Sequence, residues 1–167
     1  MGRMIRDWAL ALGVGFLVFW LADVLSRHHD AHGGGEASAF NLTTIDGGTL
    51  SLADLKGSVA VLNFFATWCG PCKQEMPEFS AYAKAHPAIK LYGIVVPSNE
   101  GARLAEIVHR LPIAYPVLIC DDPTQEAYRI DVFPTTYVLK ADGTISDIIQ
   151  GAIDRDSLAQ AVTQAGG

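Results

Sequence analysis

Positive charge is scarce in this 167-residue chain: twelve Lys and Arg stand against eighteen Asp and Glu, leaving a formal charge of −6. Without a basic surface there is little to neutralise a phosphate backbone, which argues against nucleic acid as a partner. Cysteine is also rare, with three in all. That is too few for a disulfide-stapled scaffold, so stability must come from a buried core. Charged residues of either sign make up only 18% of the chain while half of it is hydrophobic. Such a composition excludes a wholly disordered protein and a collagen-like one. The length suits one domain with appendages rather than two cores of ordinary size.

One long uncharged run is present, the fifteen residues from Trp8 to Ala22, preceded by Arg3 and Arg6 and closed by Asp23. As a helix it would extend about 22 Å, against a hydrocarbon core of roughly 30 Å, and Val24 and Leu25 lengthen it. A removable signal peptide should carry small residues soon after its apolar part, yet the best A-x-A pattern, Ala37-Ser38-Ala39, lies far downstream. Trp8 and Trp20 suit the two membrane interfaces, and Arg3 and Arg6 would stay cytoplasmic. Residues 1–25 are therefore expected to be an uncleaved, N-in, single-pass anchor, with a removed signal segment as the alternative. Residues 26–39 hold three consecutive glycines and no apolar periodicity, and are expected to be a flexible linker. His28, His29 and His32 lie there without a thiolate companion and read as solvated residues rather than metal ligands. The folded domain is placed at residues 40–167.

That domain is expected to open with a β-hairpin around Gly47-Gly48. Val59 to Phe65 is a nearly continuous apolar run, the signature of a central strand buried on both faces. A helix follows from Cys72 to His86, with Met76, Phe79, Tyr82 and Ala83 on its apolar side and Pro77 expected to kink it. Strands are predicted at Ile89 to Val96 and Pro116 to Cys120, separated by a helix over Gly101 to Leu111. A short helix at Thr124 to Ile130 precedes a hairpin of Thr135 to Lys140 and Ile145 to Gln150, turned at Asp142-Gly143. The last helix, Asp154 to Ala165, is expected to be capped by Asp154. This alternation implies an α/β fold with a central mixed sheet covered on both faces.

The chemistry concentrates in Trp68-Cys69-Gly70-Pro71-Cys72, where a buried strand ends and a helix begins. Free N–H groups and partial positive charge at a helix start favour the thiolate of Cys69, the nucleophile of disulfide exchange. Cys72, one turn on, is placed to attack a mixed disulfide formed at Cys69. A C-x-x-C pair also supplies half of a tetrahedral zinc site, but no second C-x-x-C or C-x-x-H occurs and Cys120 stands alone. No metal site and no cofactor is expected. A purely structural Cys69–Cys72 bridge would close too small a ring to stabilise the fold much. Cys120, at the end of an apolar strand, reads as a small buried hydrophobe.

The chain resembles the TlpA/ResA-like membrane-anchored thiol-disulfide oxidoreductases of the thioredoxin superfamily. The resemblance runs from about Phe40 to the C-terminus and rests on Asn63 to Pro77, on Asp46-Gly47 and on Phe133-Pro134-Thr135-Thr136. It implies a thioredoxin-like fold with an added N-terminal hairpin, and a cis peptide before Pro134 facing the cysteines. Trp68, Phe133 and Pro134 are then expected to contact substrate. Glu75 matches a glutamate that ResA-like proteins keep beside their cysteines, where it could exchange a proton with Cys72; without the resemblance, it would read as a solvent-facing helix residue. Asn63 stands where thioredoxin has a buried acid, and an amide cannot exchange a proton at neutral pH. The implied function is reduction of disulfides in exported clients such as apocytochrome c or copper-site proteins. A membrane thiol-electron donor would recharge the domain in the periplasmic or extracytoplasmic space. A thiol oxidant or isomerase, and a copper or zinc chaperone using the same cysteines, remain the alternatives.

Overall fold

The structure, a computed structural model, describes residues 34–167. The expected anchor at 1–25 and the first part of the expected linker lie outside the described residues. Among the described residues, no helix is long and apolar enough to cross a membrane.

Among the described residues, seven strands and four α-helices follow in order. These are β1 (Asn41–Thr43), β2 (Thr49–Ser51), β3 (Ala60–Phe65), α1 (Gly70–Ala85), β4 (Lys90–Val95), α2 (Leu104–Val108), β5 (Val117–Ile119), α3 (Asp122–Ala127), β6 (Thr135–Leu139), β7 (Ile145–Gln150) and α4 (Arg155–Gln164). The main sheet has the order β5-β4-β3-β6-β7. β3, β4 and β5 run parallel, while β6 and β7 are antiparallel to their neighbours. The expected mixed sheet is therefore present, and β3 is buried at every position, as its unbroken apolar run requires.

Alternation along β3 divides the core. Leu62 and Phe64 join Phe40, Leu42, Leu118, Tyr128 and Leu139 on one face. On the other, Val61 packs with Phe79 of α1 and with Leu158 and Val162 of α4, and Phe65 packs beside Met76 and the two cysteines. Asn63 shares this second face, because the side-chain period of a strand is two. A polar residue at the centre of the buried strand thus points at α1.

Several boundaries differ from the sequence expectation. Glu36 bridges Thr144, Ala37 N–H donates to Gly143, and Ile145 N–H donates to Gly35. The stretch just before Phe40 is therefore part of the domain, held by backbone bonds that a composition of Gly, Ala and Ser does not announce. The hairpin turn is longer than the Gly47-Gly48 dipeptide, since Thr44 N–H donates to Gly48 O at 2.8 Å and Ile45 N–H turns away to Val117 O. That second bond attaches the hairpin to the edge of the main sheet. The helix expected over Gly101 to Leu111 is a 3₁₀ turn at Gly101–Arg103 followed by the short α2. α3 starts earlier than expected because the Asp121 side chain caps it, accepting from Thr124 N–H at 2.9 Å. Asp154 caps α4 as expected, accepting from Ser157 N–H at 2.8 Å. Pro77 lies inside α1, which continues for two further turns beyond it.

Candidate active site

α1 begins immediately after Cys69, which is its N-cap residue, and Pro71 occupies the first turn, where a missing N–H costs nothing. The backbone N–H of Cys72 points at Cys69 Sγ, 3.2 Å away. A sulfur in this position sits on the positive end of the helix dipole, which stabilises its thiolate once the disulfide is reduced. In the structure the two cysteines are joined by a disulfide, with Cα atoms 5.3 Å apart. Both are buried, Cys72 fully and Cys69 to within 3%. Access is therefore controlled by the residues around them.

Those surroundings are partly apolar and exposed. Trp68 is 65% exposed and Val132 42%, the two large hydrophobic residues that stand out from the described surface. The Trp68 ring meets Phe133 edge-on with centroids 5.7 Å apart. Pro134 follows in a cis peptide, buried at the start of β6. Since β6 runs antiparallel to β3 with Phe64 opposite Thr135, its first residues lie at the same sheet end as the Cys69–Cys72 pair. The structure thus brings Trp68, Phe133 and Pro134 to the end that carries the disulfide.

Glu75 is not the solvent-facing helix residue that its type alone suggests. It is 2% exposed and turns toward β3, where Oε1 accepts from Asn63 Nδ2 at 2.8 Å and Oε2 accepts from Ile153 N–H at 3.2 Å. Burial pushes its carboxyl up to about 7, with the two hydrogen bonds opposing the rise. A carboxyl with that proton affinity can both take and return a proton near neutral pH. It lies three residues after Cys72 on α1, the spacing that brings side chains onto one helix face.

Other residues complete the surroundings without a sequence signal of their own. Trp68 Nε1–H donates to Ser98 Oγ at 2.9 Å, the Glu100 carboxylate accepts from Ser98 N–H, and the Thr67 hydroxyl donates to the same carboxylate. Burial works against the Glu100 charge, but these bonds outweigh it and hold the carboxyl below its ordinary value. The loop after β4 is thereby tied to the exposed indole. A cleft of about 310 Å³ opens there between Trp68, Ser98, Asn99, Glu100, Arg103 and Ile107. Residues so far apart in the chain leave no local pattern to find them by. Cys120 is buried outside this site, with its thiol pushed up to about 12 by burial and by the neighbouring Asp121 and Asp122 charges.

Residues 34–148 match the AhpC/TSA family. The thioredoxin-like protein YneN of Bacillus subtilis is 34% identical over 131 residues, spanning 76% of this chain and 76% of YneN. The thiol-disulfide oxidoreductase ResA of the same organism is 30% identical over 125 residues, which cover 72% of this chain and 68% of ResA. Among solved structures, a thiol:disulfide interchange protein of the thioredoxin family from Chlorobium tepidum TLS superposes with a TM-score of 0.69. It is 30% identical and covers 80% of this chain and 97% of its own. A C-x-x-C disulfide at the start of α1, together with those relatives, identifies the chain as an enzyme of the AhpC/TSA family, a thioredoxin-like thiol-disulfide oxidoreductase of the ResA type.

Proposed function

We propose that the protein is a membrane-tethered, extracytoplasmic reductant of disulfides in exported proteins. Cys69 acts as nucleophile, Cys72 as resolving thiol and Glu75 as proton carrier. In this reading the Cys69 thiolate attacks a client disulfide, forming a Cys69–client bond and releasing one client sulfur as a thiolate. The proton of Cys72 passes to Glu75, and the Cys72 thiolate attacks Cys69, releasing the second client sulfur. Two electrons move from the dithiol to the client, and the Cys69–Cys72 disulfide is left behind. A membrane thiol donor returns the electrons. Trp68, Phe133 and Pro134 supply the surface on which an extended client segment rests.

The observation that carries this reading is Cys69 at the helix start, accepting the Cys72 N–H, with the Glu75 carboxyl buried one turn after Cys72 on the same helix. Extracytoplasmic tethering is supported by the apolar run Trp8 to Ala22 and its flanking arginines. Clients such as apocytochrome c and copper-site proteins of oxidases follow from the family resemblance. The test is capture in the native host: Cys72→Ser should accumulate mixed disulfides at Cys69, identified by mass spectrometry. A membrane protein among them names the donor and a soluble exported protein names the client. Full exchange activity in Cys69→Ser would overturn the assignment, and tight stoichiometric metal binding without exchange would favour the chaperone alternative.

A further inference from the structure

Asn63, fully buried in β3, uses its amide in a one-sided way. Nδ2 donates both to Glu75 Oε1 at 2.8 Å and to Thr136 Oγ1 at 3.0 Å, while Oδ1, equally buried, has no hydrogen-bond partner. The other carboxylate oxygen of Glu75 meets a further donor, Ile153 N–H. Every hydrogen-bonding group that touches the carboxylate is thus a donor. That set suits the ionised form and leaves a protonated one without an acceptor for its hydrogen.

A half-turn of the Asn63 amide resolves the conflict with no change in the heavy-atom frame. Oδ1 then occupies the place of Nδ2, where it accepts from the Glu75 carboxyl hydrogen and from the Thr136 hydroxyl, a group able to donate or accept. One amide atom lacks a partner in either orientation, so neither state gains a satisfied group over the other. The titratable groups around Glu75 are few. Tyr115, ahead of β5, is held protonated by burial and then by the Glu75 charge. Along the same helix, Cys72, one turn before Glu75, and the N-cap Cys69 do not titrate while bonded to each other. β3 and β6 contribute the neutral Asn63 and Thr136, and the segment before α4 contributes a backbone N–H.

We propose that Asn63 is a positioning residue whose amide turns with the protonation of Glu75, presenting a donor to the carboxylate and an acceptor to the acid. This rests on Glu75 as the proton carrier described above. The experiment is an NMR titration of the oxidised full chain from about pH 5 to pH 9, following the Glu75 carboxyl carbon and the Asn63 side-chain amide. Both should move with one common midpoint, and the Overhauser contact between the Asn63 amide protons and the Thr136 side chain should be lost at the acid end. In Glu75→Gln, whose own amide donates to Asn63 Oδ1 at every pH, that contact should be absent throughout. If Glu75 titrates while the contact persists across the range, the inference fails and the proton carrier stands. If Glu75 does not titrate in this range, both fail.

Discussion

The indole of Trp68 stands edge-on to the ring of Phe133, 5.7 Å between centroids, at the rim of the Cys69–Cys72 disulfide. One ring comes from the loop that ends β3 and the other from the residue before the cis proline. Together they form an apolar corner that water does not cover well. Replacing Trp68 by Ala should raise KM for a protein disulfide about tenfold, leave turnover of a small soluble disulfide nearly unchanged, and cost no more than about 1 kcal/mol of stability. Steady-state kinetics on the two substrate types, with urea unfolding, decide it.

Glu75 should make stability fall as pH rises. Its carboxyl takes up its proton near 4.5 when unfolded and near 7 when folded. Between those values the folded state holds a proton that the unfolded state does not, so the stabilisation present below about 4.5 is lost as pH climbs through 7. The full effect is on the order of 3 kcal/mol. Chemical unfolding of the oxidised protein at several pH values should show this slope, and Glu75→Gln should flatten it.

The same substitution should act on catalysis. Single-turnover release of a client from the mixed disulfide should fall roughly 100-fold in Glu75→Gln, the usual scale for loss of one proton-transfer group. The wild-type profile should show an inflection near 7 that the variant lacks. An unchanged profile would assign the proton step to another group.

Cys120 should be silent. Its thiol is buried and pushed up to about 12, far from a reactive thiolate. After reduction, an alkylating reagent should label Cys69 in the native protein and reach Cys120 only after unfolding. Cys120→Ala should retain full exchange activity and lose about 1 kcal/mol from the emptied core volume.

Gly93 leaves little room for a side chain. A Cβ there would lie 3.0 Å from Phe65 Cε1 and 3.2 Å from Tyr115 Cε2, both on stiff rings. Gly93→Ala should therefore destabilise by about 1–3 kcal/mol, as overpacking does in dense cores. Thermal unfolding measures it.

Much of the fold is legible in the sequence. The apolar run of β3, the helical spacing of Met76, Phe79 and Tyr82, and the Asp154 cap are local patterns, and local patterns are written in consecutive residues. α2 is shorter than the helical spacing of Leu104, Ile107 and Leu111 implies, because from Arg110 on the backbone bonds tighten to turns, with Leu111 N–H donating to Val108 O. The backbone pairing of Gly35 to Ala37 has no local signature because it depends on the turn at Gly143, more than a hundred residues away.

By itself the sequence determined the chemistry on offer. Two thiols one helical turn apart at the end of a buried strand can form a disulfide and exchange it, because spacing and a helix start are local properties. Only the tertiary structure decided what surrounds that chemistry. Packing α1 on the sheet buries Glu75 against Asn63 and raises its proton affinity, and the β3–β6 pairing carries Phe133 and Pro134 to the cysteines. Desolvation and cross-strand proximity arise only when distant segments meet, so no run of neighbouring residues could encode them.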